Sequence, residues 1–150
     1  MIRCEVMLEV GRPPADVFAF VDDIGKAPQW LGRCVEIQQT SPPPKRVGTT
    51  LRYFYKEGGR RGEMDGVVTE YEKDKRLAMS YSDKMFDVAV AFRFEPSGFG
   101  TKVQHNVEIT PKAFVAKLMS PMIGAATRKQ VERDTAKLKG LLLVGGGQRA

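Results

Sequence analysis

The chain has 150 residues, 42% of them hydrophobic and 28% charged, the proportions of an ordinary globular protein of one domain. Its apolar runs fall well short of the roughly 20 residues a membrane-spanning helix needs. Its opening residues lack the charged start, apolar stretch and small-residue cleavage site of a signal peptide, so a cytoplasmic location is expected. One histidine and two cysteines give no metal-ligand cluster of recognisable spacing, and no cofactor is expected.

Ile2, Cys4, Val6, Leu8 and Val10 share one parity while Arg3, Glu5 and Glu9 take the other, which predicts a half-buried strand. Arg12-Pro13-Pro14-Ala15-Asp16 opens a short helix, because proline suits a first turn that does not use its missing N–H. Val17, Phe18 and Val21 form the apolar face of that helix, with Phe20 as a flanking contact. A second short helix or turn covers Ile24 to Leu31 and carries Trp30. Val35 and Ile37 then alternate with Glu36 and Gln38. Pro42-Pro43-Pro44 cannot continue a strand and reads as a stiff loop.

From Thr50 to Lys56 another strand puts Tyr53 and Tyr55 on one parity and Phe54 on the other. Gly58-Gly59 supplies a tight hairpin turn, the return strand runs from Arg61 to Tyr71 with ambiguous parity, and Leu77 to Ser82 follows. Phe86, Val88, Val90, Phe92 and Phe94 make the clearest alternating run. Beyond a turn at Ser97-Gly98-Phe99-Gly100, Val103, His105, Val107 and Ile109 alternate with Lys102, Gln104, Asn106 and Glu108. Hairpin-length connections imply an antiparallel sheet. Cys4 and Cys34 both fall on predicted strands and are expected to be buried free thiols.

Thr110-Pro111 predicts a helix start, threonine as cap and proline at the first position, with the helix running to about Leu143. Val115, Leu118, Met119, Met122, Ile123 and Ala126 define one face, while Val131, Thr135, Leu138 and Leu142 define another. At about 100° per residue the two stripes are roughly 140° out of phase. A straight helix cannot bury both against one sheet, so a kink or break is expected at Pro121 and Gly124. Residues 145–150 are expected to form a flexible tail, leaving 1–144 as one domain.

The order of a strand, two short helices, six strands and a long helix resembles the START-like superfamily. That superfamily includes polyketide cyclases and dehydrases, plant pathogenesis-related allergens and lipid-transfer domains (SRPBCC). The segments that carry the resemblance span nearly the whole chain. They are Arg12-Pro13-Pro14-Ala15-Asp16-Val17-Phe18-Ala19-Phe20-Val21-Asp22 with Trp30, Val47-Gly48-Thr49-Thr50, Val68-Thr69-Glu70-Tyr71 with Arg76-Leu77, Gly100-Thr101-Lys102-Val103, and Val131-Glu132-Arg133-Asp134 with Leu138. These are turns and packing positions, and no catalytic signature of the superfamily maps onto them. Lys73-Asp74 departs from relatives that often carry proline, which alters a surface turn. The resemblance implies an α+β helix-grip fold. About seven strands form a curved antiparallel sheet wrapped around the long C-terminal helix, two short helices follow the first strand, and an apolar cavity lies between sheet and helix.

On that fold, parity sends Tyr53, Tyr55, Val88, Val90, Phe92, Val103, His105 and Val107 into the cavity. Trp30, Met64 and Val68 join them, and Met119, Met122 and Ile123 close the space from the helix. Methionines suit a pocket for a loosely specified apolar ligand; the other account of these residues is that they simply fill a core. His105 is the candidate catalytic group, since a histidine in an apolar row can act as acid or base near neutral pH. The competing account is a buried histidine satisfied by a neighbouring hydroxyl or carboxylate. Glu63, Asp65 and Asp87 read as outer-face charges balancing Arg60, Arg61 and Arg93 rather than as a proton-transfer pair. No Ser-His-Asp order, phosphate loop or dinucleotide fingerprint is present.

The leading expectation is a module that binds a small hydrophobic molecule: a lipid, polyketide or aromatic compound. The second is a cofactor-free polyketide cyclase or dehydratase using His105 and a tyrosine. The third rests on the net charge of +6 and is a basic surface reaching RNA or an anionic membrane. Lys45, Arg46, Arg60, Arg61, Arg128, Lys129, Arg133, Lys137 and Lys139 are dispersed among acidic residues. A solvated surface accounts for that pattern, leaving no specific nucleic-acid partner and only weak contact with anionic membranes. A monomer or homodimer without a transmembrane segment is expected.

Overall fold

The computed structural model describes residues 2–98 and 100–148, with side chains up to Leu143. β1 (Ile2–Val10) buries Cys4, Leu8 and Val10 and exposes Arg3, Glu5 and Glu9. α1 (Pro14–Asp22) starts on its proline and buries Val17, Phe18 and Val21. A 3₁₀ turn at Ile24–Lys26, capped by the Asp23 carboxylate accepting from Gly25 N, leads into α2 (Ala27–Trp30). Six strands follow: β2 (Cys34–Gln39), β3 (Thr50–Glu57), β4 (Arg60–Glu72), β5 (Arg76–Ser82), β6 (Phe86–Ser97) and β7 (Gly100–Pro111). With β1 they form one seven-stranded antiparallel sheet in the order β1-β7-β6-β5-β4-β3-β2. Cys4 and Cys34 are buried free thiols on strands at opposite edges of that sheet.

Two bulges decide which side chains face inward. In β4 the register with β5 shifts between Val68 and Glu70. The bulge accounts for the ambiguous parity there: Met64, Gly66 and Val68 are buried before it and Tyr71 is half-buried after it. In β2 the shift lies between Cys34 and Glu36, so Cys34 and Ile37 are buried. The expected alternation of Val35 with Glu36 therefore fails, and Val35 is exposed. The extra residue of a bulge reverses the face of everything beyond it. At the β3–β4 hairpin Gly58 and Gly59 have φ of 56° and 82°, the left-handed pair a two-residue turn requires.

The C-terminal region departs from several expectations. Pro111 ends β7 opposite Phe86 instead of opening a helix, because a strand end tolerates a residue without an N–H. The helix is broken as expected, though not so as to bury both stripes. The break falls at Met119, between α3 (Phe114–Leu118) and α4 (Ser120–Gln148), ahead of Pro121 and Gly124. Pro121 has no N–H to give the Lys117 carbonyl, so the hydrogen-bond ladder of α3 is not carried across this point. Finally, the stripe of Val115, Leu118, Met119 and Met122 is exposed, while Val131, Thr135, Leu138 and Leu142 are buried. α4 continues through Gln148 into the expected tail, since each added residue of an established helix gains a hydrogen bond. Arg149, Ala150 and the Phe99 position of the β6–β7 turn lie outside the described residues.

α4 packs along β1 and touches β7 and α2. Leu8, Val17, Phe18, Leu77, Phe94, Val103, Leu138 and Leu142 close one end of the sheet–helix space as a solid core. The Arg12 guanidinium donates to Leu142 O at 3.0 Å and to Asp16 Oδ2 at 2.8 Å. Thr101, fully buried, donates its hydroxyl to Arg12 O at 2.7 Å. Thr101→Val keeps the shape and deletes this bond. We expect a loss of about 1 kcal/mol in urea unfolding.

Candidate functional site

Away from that closed end, α4 rests on the β1 side of the sheet, where Val131 packs with Cys4 and Val107, and stands off the middle strands. Helix and sheet enclose a cavity of about 460 Å³, within the roughly 300–1,000 Å³ typical of small-molecule pockets. β3 supplies Leu51, Tyr53 and Tyr55; β5 supplies Leu77, Met79 and Tyr81; β6 supplies Phe86, Val88, Val90 and Phe92; β7 supplies His105, Val107 and Ile109. Met64 and Val68 from β4 and Trp30 from α2 complete the wall, with Met119, Met122 and Ile123 on the helical side. Val103 alone among the residues expected to line the space does not reach it. It has the right parity, but lies at the closed end against Leu138 and Phe94 in the solid core.

Gly66 fixes the position of one aromatic wall. A Cβ there would lie 2.5 Å from the Tyr81 ring, so the missing side chain is what lets Tyr81 lie flat across β4. Tyr81 then sits 5.2 Å, centroid to centroid, from Tyr53. Burial raises the pKa of both phenols, which keeps them neutral hydrogen-bonding groups. The Tyr53 hydroxyl also hydrogen-bonds Cys34, whose thiol is pushed up to about 11 chiefly by burial.

Asp134 is the polar group that sequence reasoning missed. It is buried on α4, lines the cavity, and accepts from Gly32 N at 3.0 Å and Gln130 Nε2 at 2.8 Å. Burial raises its pKa, and the Gly32 and Gln130 hydrogen bonds oppose the rise. Its signal was an acidic residue three after Val131 and four before Leu138, inside an apolar helical stripe. Two ion pairs stand at the cavity's polar edge: Arg33–Glu57 at 3.4 Å and Lys45–Asp22 at 2.8 Å. Tyr71 donates to the same Asp22 carboxylate at 2.7 Å.

His105 points inward and is almost wholly buried. It stacks on Phe92 at 4.4 Å and meets Trp30 edge-on at 6.1 Å. Its Nδ1 lies 3.2 Å from Thr135 Oγ1, and the Thr135 hydroxyl donates to Val131 O at 2.7 Å. Since the threonine proton is committed to Val131, Nδ1 carries the hydrogen and Oγ1 accepts it. Burial pushes the His105 pKa down to about 4. A neutral imidazole results, paired with a threonine and with no tyrosine in hydrogen-bond reach among the described residues. Glu63, Asp65 and Asp87 are exposed on the outer face. Asp65 pairs with Arg52 and Asp87 with Lys112, rather than with Arg60, Arg61 or Arg93. Among the described residues no group of three or more His, Cys, Asp or Glu side chains could hold a metal ion.

A curved seven-stranded antiparallel sheet gripping a long C-terminal helix around a cavity defines a START-like, helix-grip protein. Over residues 1–142 the chain matches the family of polyketide cyclase / dehydrase and lipid transport proteins, and it belongs to that family. Solved structures with the same fold include a protein of Thermus thermophilus (16% identity, TM-score 0.79, covering 95% of this chain and 98% of that one). A START superfamily protein from Mycobacterium smegmatis is 17% identical with TM-score 0.79, covering 95% and 97% of the two chains. The Zhui aromatase/cyclase of Streptomyces sp. R1128 is 13% identical with TM-score 0.77, covering 93% and 92%. No curated protein matches the sequence.

Proposed function

We propose that this protein binds a small, largely apolar molecule, a lipid, polyketide or aromatic compound, in the cavity between the sheet and α4. The unfilled space of about 460 Å³ carries the reading. A cluster of Tyr53, Tyr81 and Asp134 gives such a ligand polar groups by which to be oriented, while Trp30, Phe86 and Phe92 offer it aromatic faces. Turnover is the less supported reading. A neutral His105 has its Nδ1–H engaged with Thr135 and is no imidazolium acid at neutral pH, and the positioned partner that general acid–base chemistry needs is not paired with it among the described residues. Of the dispersed basic residues, Lys45 is answered by Asp22 and Arg128 by Glu132, which supports a solvated surface over a nucleic-acid site.

Native mass spectrometry of the purified protein should reveal a co-purifying small molecule. Delipidated protein should take up an environment-sensitive apolar dye that lipids or polycyclic aromatics displace. Absence of both a bound molecule and dye uptake would overturn the proposal.

A further inference from the structure

Water-facing helices normally turn polar side chains outward, and α3 does the reverse. Phe114, Val115, Leu118, Met119 and Met122 are between 44% and 74% exposed, and their spacing puts them along one side of the α3–α4 junction. A contiguous apolar patch on a chain surface marks an interaction site. Lys112 N donates to Met85 O at 2.8 Å. That bond brings the β5–β6 turn, with exposed Met85 and Lys84, beside the start of α3.

Along the α3–α4 segment itself the charge has one sign, while the β5–β6 turn beside it carries Asp83 and Asp87 as well as Lys84. Between Glu108 and Glu132 the sequence holds Lys112, Lys117, Arg128 and Lys129 and no acidic residue. Lys112 is engaged with Ser82, Asp83 O and Asp87, and Arg128 with Glu132. Lys84 and Lys117 have no carboxylate partner among the described residues. A second copy of the chain docking through this patch about a two-fold axis would set Lys117 against the same basic surface. An anionic bilayer meets both features at once, apolar side chains entering the acyl boundary and ammonium groups resting among headgroups.

We propose that α3, with Met122 and Met85, docks the protein on anionic membranes. Met119 and Met122 belong both to the patch and to the cavity wall, so docking sets the cavity's helical lip against the lipid. That last consequence rests on the ligand-binding reading; the docking itself does not.

The test is co-sedimentation of the full chain with phosphatidylcholine vesicles, with and without phosphatidylglycerol. Phe114 and Leu118 do not line the cavity. The expected result is partition onto the anionic vesicles that the double variant Phe114→Ser, Leu118→Ser weakens by about tenfold or more. Lys84→Glu with Lys117→Glu is expected to weaken it by a similar factor, as does raised salt. Failure of the wild type to bind anionic vesicles would overturn the proposal, as would binding indifferent to both double variants. Concentration-dependent dimerisation abolished by the serine variants, without vesicle binding, would assign the patch to a second copy instead. Vesicle binding is read without any cavity ligand, so loss of docking and loss of ligand uptake are separate results.

Discussion

His105→Leu should remove about 3 kcal/mol of acid sensitivity between pH 6.5 and pH 4. In the unfolded chain a histidine takes up a proton near 6.5, but in the native protein burial holds His105 neutral down to about 4. Between those values the unfolded state binds more protons than the native state. Stability is therefore fully present above the unfolded value and is lost as pH falls through the window. Leucine does not titrate, and its removal of the imidazole leaves the Thr135 hydroxyl still donating to Val131 O. Asp134 acts with the opposite sign: its raised pKa means the native state takes up a proton first on acidification, which stabilises. The measurement is urea unfolding of both proteins across the window, read as the slope of stability against pH rather than as absolute stability. Parallel slopes for wild type and variant would show that His105 does not titrate as its burial requires.

Parity along a strand reveals which face a residue takes but not how far along the sheet–helix space it lies. That is why Val90, His105 and Val107 reach the cavity while Val103, on the same parity, is locked in the core. A bulge is invisible to parity, and its extra residue left β4 ambiguous and sent Val35 outward. Helical periodicity likewise marks an apolar face without naming what covers it. The stripe through Val131 and Leu138 is buried, whereas Val115 and Leu118 of the other stripe are exposed. Buried polar groups were the least legible. Asp134 and Tyr81 gain their meaning from Gly32 and Gly66, and those contacts cross from α4 or β5 to distant parts of the chain, while Gln130 supports Asp134 from within α4.

Val90→Trp should reduce uptake of an apolar dye or lipid by on the order of 100-fold, about 2.7 kcal/mol. Val90 sits midway along β6, paired with Met79 on one side and Val107 on the other, and all three face the cavity. An indole at this position projects into the only large space beside it, over the floor a ligand would occupy. Overpacking destabilises a filled core, typically by about 1–3 kcal/mol, but this position borders a void, so the melting temperature should hold or rise as empty apolar surface is covered. The pairing of those two results is the informative part, since a collapse of stability with lost uptake would say only that the fold had failed. Ala89→Trp is the matched control. Ala89 is the adjacent residue of the same strand, exposed on the outer face, and the same ring placed there leaves the cavity open and uptake unchanged. Full uptake by a stable Val90→Trp protein would move the ligand elsewhere.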